Sequence, residues 1–183
     1  GARQARVRCS RTLCRRRADR RVAAASRASR RTHEARQVIV LDTNVLSALM
    51  QQQPDARVVA WLDQQAAESI WISAVTLFEA RYGLALLESG RRKKLLLERF
   101  DQFLQDDLDN RVLLFDTQAA GLAAQLAAER KARGRPVDMR DTFIAGIALA
   151  QRATLATRNT RHFDDLSVPV INPWAVSGRA RVE

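Results

Sequence analysis

Residues 38–46 read VIVLDTNVL. The first four side chains are apolar and three are β-branched, which suits a strand buried on both faces of a parallel sheet. The run stops at Asp42, and Thr43 or Asn44 follows as the cap of a helix reaching about Met50. A carboxylate at that point lies at the carboxyl edge of a strand, where open parallel sheets bind their ligands.

The same alternation continues along the chain. Pro54-Asp55 opens a helix with Val58, Val59 and Leu62 on its inner face, and Ile70-Trp71-Ile72 is a second strand. Ser73 starts a helix through Leu77, Tyr82 and Leu86 that stops near Gly90. Arg91–Leu108 reads as one helix whose basic start and acidic end oppose the macrodipole, so packing must stabilise it. Val112–Phe115 is a third strand, and Asp116 or Thr117 caps a helix to about Arg133. Asp138 caps another to about Arg152, Thr154–Thr157 is a fourth strand, and Val168–Ile171 a short fifth. Strands separated by helices imply an α/β fold with a central, mainly parallel sheet. No glycines are spaced as a dinucleotide or Walker loop, which argues against nucleotide binding by those devices.

The charge is confined to one end. The 183 residues include 31 Lys and Arg against 20 Asp and Glu, a formal +11. Residues 1–37 hold thirteen of the arginines and only Asp19 and Glu34, so the whole +11 lies there and the rest is neutral. A chain basic throughout, coating nucleic acid, is excluded. Residues 1–37 read as a disordered or non-native extension: a nucleic-acid-binding arm, a transit peptide, or, as the favoured reading, an artefact of the assumed translation start. Residues 38–175 form the domain and 176–183 a tail. The only cysteines, Cys9 and Cys14, fall in the extension, so the domain carries none, which fits a reducing cytoplasm. No apolar run approaches the roughly 20 residues that span a bilayer.

The polar residues at the strand ends are Asp42, Asp116 and Asn159, while Glu79 and Asp141 lie about one turn into helices. Asp42, Glu79 and Asp141 each sit in apolar context, where an unpaired carboxylate is costly to desolvate. Each has an ordinary explanation: Asp42 as a helix cap, Glu79 paired with Arg81 or Arg140, Asp141 sharing a cap with Asp138. Together they form a hard-oxygen set suited to Mg²⁺ or Mn²⁺. Arg81, Arg140, Arg158 and Arg161 flank the set as phosphate contacts, and Arg91-Arg92-Lys93-Lys94 is the densest basic run. Phe78, Tyr82, Leu86 and Trp61 read as core or interface.

These segments carry a resemblance. VIVLDTNVLSAL, RVVAWLDQ, ISAVTLFEARYGLALLESGRRK, RDTFIAGIALA, LATRNTRHF and VINPW, in order from Val38 to Trp174, resemble a PIN-domain ribonuclease, a VapC-like toxin of the FitB-related branch. The resemblance implies a three-layer α/β/α sandwich and Mg²⁺-dependent hydrolysis of RNA by activated water. It implies a homodimer and inhibition by a cognate antitoxin protein encoded beside it. By motif, the catalytic set is Asp42, Glu79, Asp141 and Asn159, with metal held by Asp42, Asp141 and Glu79. Asn159 stands where some relatives have Asp, leaving three formal carboxylates. His162 stands where many relatives have an acid, and reads as a surface histidine in preference to a phosphate contact or a group that helps with protons. Two other readings compete: a PIN-like module that binds RNA or protein without catalysis, and an aspartyl phosphatase. The latter wants an acid two residues after the first, where this chain has Asn44.

Overall fold

The computed structural model describes residues 37–175. The expectations for residues 1–36, including Cys9 and Cys14, and for the tail from 176 onward lie outside the described residues. In chain order the elements are β1 (Ile39–Leu41), α1 (Thr43–Met50), α2 (Ala56–Asp63), β2 (Ile70–Ser73), α3 (Ala74–Ala85) and α4 (Arg91–Gln102). There follow β3 (Val112–Leu113), α5 (Thr117–Ala132), α6 (Met139–Ala150), β4 (Thr154–Ala156) and β5 (Val170–Ile171). The strands form one sheet in the order β3-β2-β1-β4-β5, and every pairing is parallel.

The pleat sorts the core into two layers, because successive side chains point to opposite faces. Val40 and Leu155, opposite each other in register, pack with Ile144, Ala145, Ile147 and Ala148 of α6 and Ala119 and Leu126 of α5. Ile39, Leu41 and Ile72 face the other way. The buried Val45 and Leu46 of α1, Val58, Trp61 and Leu62 of α2, and Phe100 of α4 supply the layer there. The result is an α/β/α sandwich. The α5–α6 contact is close: a Cβ on Gly146 would lie 2.5 Å from the Ala119 carbonyl oxygen and 2.7 Å from Ala123 Cβ.

Strand order places the site. From β1 the sheet grows through β2 to β3 on one side, whereas β4 returns to pair with the other side of β1. The carboxyl ends of β1 and β4 therefore flank a topological switch point, the crevice where such sheets hold ligands.

Three elements differ from their sequence reading. The helix from Arg91 is α-helical to Gln102 and then widens into a π turn, Phe103–Asp107, with the Leu108 N–H donating to the Phe103 carbonyl. Asp109 and Asn110 then adopt left-handed φ values of 48° and 54°, which Asp and Asn tolerate best after glycine. Arg111 secures this corner through bonds to the carbonyls of Ile70, Ala67 and Asp107. β3 ends at Leu113, and Leu114 is 69% exposed. β5 begins only at Val170, since Pro169 has no N–H to give a ladder, although its carbonyl accepts from Leu155.

Candidate active site

Asp42 is the buried centre of the site, 5% exposed at the end of β1. It caps α1, one residue before the Thr43 or Asn44 of the sequence reading, accepting from the Thr43 N–H at 2.7 Å. Its other oxygen accepts from Asn44 Nδ2 and from the Thr157 hydroxyl, each at 2.7 Å. Asn44 also donates to Thr157 Oγ1 at 3.1 Å, and its Oδ1 accepts from the Arg158 N–H at 3.0 Å. Asn44 thus ties the ends of β1 and β4 together around the carboxylate. Burial pushes the Asp42 carboxyl above the usual range. The bonds from Thr157 and Thr43 pull it down, and the negative charges of Asp141 and Glu79 push it up further.

Glu79 reaches this centre from α3. Ser73 caps that helix through the Thr76 N–H, and the buried Thr76 hydroxyl donates to the Leu41 carbonyl at 3.3 Å. That bond pins the first turn of α3 to the end of β1, and Glu79 lies on the same face, three residues later. The Thr43 hydroxyl donates to Glu79 Oε2, and Arg140 Nη1 stands 3.3 Å from Oε1. Asp141 enters on the first turn of α6, where Asp138 is the cap, accepting from the N–H groups of Arg140 and Asp141. Asp141 Oδ2 is 2.7 Å from His162 Nδ1. Asn159 is held beside Asp42, its N–H donating to Thr157 Oγ1 at 3.0 Å.

The structure therefore brings the carboxylates of Asp42, Glu79 and Asp141 near one another, with the backbone of Asn159 joined to Asp42 through Thr157. Of the open pairings for Glu79, Arg140 takes it, while Arg81 turns to Asp101 at 2.8 Å and lies over the Phe100 ring. Asp116 is not in the crevice set; it caps α5 through the Ala119 N–H. Arg158 lies over the ring of Trp174, whose indole N–H donates to Asp55. Trp61 is core at 4% exposed, but Phe78, Tyr82 and Leu86 of α3 are 60%, 56% and 67% exposed, with Phe78 and Tyr82 stacked. His162 lies at the surface, its side chain 57% exposed, and contacts Asp141 there. Sequence reasoning passed over Asn44, Thr43 and Thr157 as parts of the site. Their signal was present in the DTN and TRN triplets, where Thr43 and Asn44 directly follow Asp42 and Thr157 opens the triplet that ends in Asn159.

The donor chemistry suits a hard divalent cation: three carboxylates, one of them desolvated and repelled by the other two. Among the described residues no three Asp, Glu, His or Cys side chains are gathered closely enough to hold an ion as they stand. Arg140 Nη1 stands 3.3 Å from Glu79 Oε1, and His162 Nδ1 lies 2.7 Å from Asp141 Oδ2.

A PIN domain family profile matches residues 39–168. Toxin FitB of Neisseria gonorrhoeae is 41% identical over 137 residues, covering 75% of this chain and 99% of its own. VapC ribonuclease Y4jK of Sinorhizobium fredii is 39% identical, covering 75% of this chain and 98% of its own. The crystal structure of FitAcB from Neisseria gonorrhoeae superposes with a TM-score of 0.71 at 40% identity, over 76% of this chain and all of that one. The chain belongs to the PIN domain family.

Proposed function

We propose that the protein is a Mg²⁺-dependent endoribonuclease, the toxin of a toxin–antitoxin pair, which hydrolyses RNA phosphodiester bonds at the Asp42–Glu79–Asp141 crevice. The observation that carries this reading is the buried Asp42 at the switch point of the sheet, flanked by the like charges of Glu79 and Asp141. The names of FitB and VapC ribonuclease Y4jK support it. Asp42, Glu79 and Asp141 would hold Mg²⁺ or Mn²⁺, which supplies activation of water and neutralisation of charge at the phosphate. Asn44 and Thr157 keep the Asp42 carboxylate aimed into the crevice, and Thr43 does the same for Glu79. Asn159 contributes a neutral dipole beside them. Arg140 and Arg158 border the crevice and would meet backbone phosphates, which position RNA without reading its sequence. Arg81, engaged with Asp101, plays a lesser part. The products are a 5′-phosphate and a 3′-hydroxyl, and the assembly is a cytoplasmic homodimer held in check by its antitoxin.

A second reading, a PIN-like module that binds without cleaving, draws on Asn159 and on the guanidinium of Arg140 and the imidazole of His162 standing on Glu79 and Asp141. Incubating a labelled RNA pool with the full chain separates the two. Cleavage with Mg²⁺ that EDTA abolishes supports the nuclease; binding without cleavage in Mg²⁺ or Mn²⁺ supports the module.

A further inference from the structure

The turn after β4 is anchored from behind by an ion pair outside the crevice. Arg130, on the last turn of α5, is 3% exposed, and the Asp165 side chain is 7% exposed. Arg130 Nε and Nη2 donate to the two carboxylate oxygens of Asp165 at 2.9 and 2.7 Å. Nη2 donates as well to the His162 carbonyl at 2.8 Å. Arg135 adds a second cation 3.6 Å from Asp165. Desolvation offsets most of the attraction in a buried pair, so stability alone is a weak reason for one. What a bidentate guanidinium fork does supply is a fixed position.

From that fork a hydrogen-bonded path runs into the crevice. The His162 N–H donates to the Asn159 carbonyl at 3.0 Å, the Asn159 N–H to Thr157 Oγ1 at 3.0 Å, and the Thr157 hydroxyl to Asp42 at 2.7 Å. The His162 side chain meets Asp141 at 2.7 Å. We propose that Arg130, paired with Asp165, is a positioning residue: it fixes the turn of residues 159–165 so that His162 lies on Asp141 and Asn159 beside Asp42. The consequence for cleavage rests on the ribonuclease reading; the consequence for His162 does not.

The chain has two histidines, His33 and His162, so the His162 ring is readily assigned by nitrogen-edited NMR. In the full-length chain without added metal, its Nδ1 is expected to show the shift of a hydrogen-bonded ring nitrogen. Averaged shifts of a freely exposed imidazole would overturn the proposal at once. In the double variant Arg130→Met/Asp165→Leu, which leaves no lone buried charge, the His162 signals are expected to move to averaged values. With Mg²⁺, kcat is expected to fall about 100-fold with KM within about twofold, the signature of misplaced rather than missing groups. If that variant does not fold, Arg130→Lys keeps the charge, loses the fork and takes the same readings. A folded variant with wild-type His162 signals and kcat would overturn the proposal. Should the wild-type chain cleave no RNA while the variant still releases His162, the ribonuclease reading fails and the positioning role stands.

Discussion

Asp42 does two jobs that pull in opposite directions. It caps α1 and closes a tight set of bonds with Thr43, Asn44 and Thr157, yet it is a buried charge facing two others. Because its pKa is raised, the folded state holds this proton more firmly than the unfolded chain. Its contribution to stability therefore falls as pH rises above the ordinary 3.8. Asn at position 42 does not titrate, so Asp42→Asn is expected to gain on the wild type between pH 3.8 and 7, whatever constant offset its lost bonds add. Denaturant unfolding at several pH values measures this, and a pH-independent difference would contradict it. Asp165 has the opposite sign. The bonds from Arg130 hold its carboxyl below the usual range, so the stability it contributes is present above 3.8 and lost as pH falls through its lower folded value. The acids themselves were legible in the sequence as charges in apolar context. The contact of His162 with Asp141 was not, because it joins residues on a helix and a turn that only the folded chain brings together.

Among the elements, α5 and α6 set the most demanding constraint. Gly146 lets the backbone of α6 approach the Ala119 carbonyl of α5, and the obstructing atoms include backbone that cannot rotate aside. Gly146→Ala is expected to destabilise the protein by about 1–3 kcal/mol despite the better helix propensity of alanine, since the helices must separate. Chemical denaturation checks it; an unchanged or raised midpoint would contradict the packing argument. Strand and helix positions were largely readable from periodicity and caps, as at Ser73, Asp116 and Asp138, all of which cap the helices they precede, while α1 is capped by Asp42 rather than by Thr43 or Asn44. The π turn after Gln102 was not readable, because local pattern favours continued helix through FLQDD and the corner depends on Arg111 reaching back to carbonyls at 67 and 70. The α3 stripe of Phe78, Tyr82 and Leu86 likewise has helical spacing but is exposed, and spacing alone does not say which apolar stripe is covered.

For the molecule as a whole, parallel strands were foreseeable, but the placement of β4 beside β1 was not, since alternation of strands and helices leaves strand order open. That placement is what creates the crevice. No helix among the described residues is long and apolar enough to cross a membrane. The +11 of the chain lies in residues 1–37 and the remainder is neutral. Removing residues 1–37 is therefore expected to weaken RNA binding and flatten its dependence on salt, because fewer counterions are released. Fluorescence anisotropy across a salt series reads both, and an unchanged slope would show that the arginines do not meet RNA. Expression of the chain in a bacterial host is expected to arrest growth, with relief by the neighbouring open reading frame; unimpeded growth would count against the toxin role.

All of this turns on Asp42 as the centre of a cleaving site. Single-turnover cleavage of a labelled RNA in Mg²⁺ by wild type and by Asp42→Asn, both verified as folded, puts that to the test. Since loss of a mere supporting partner at a metal site costs about 10–100-fold, loss of Asp42 is expected to slow cleavage by more than about 100-fold. Equal rates for the two proteins would contradict the assignment.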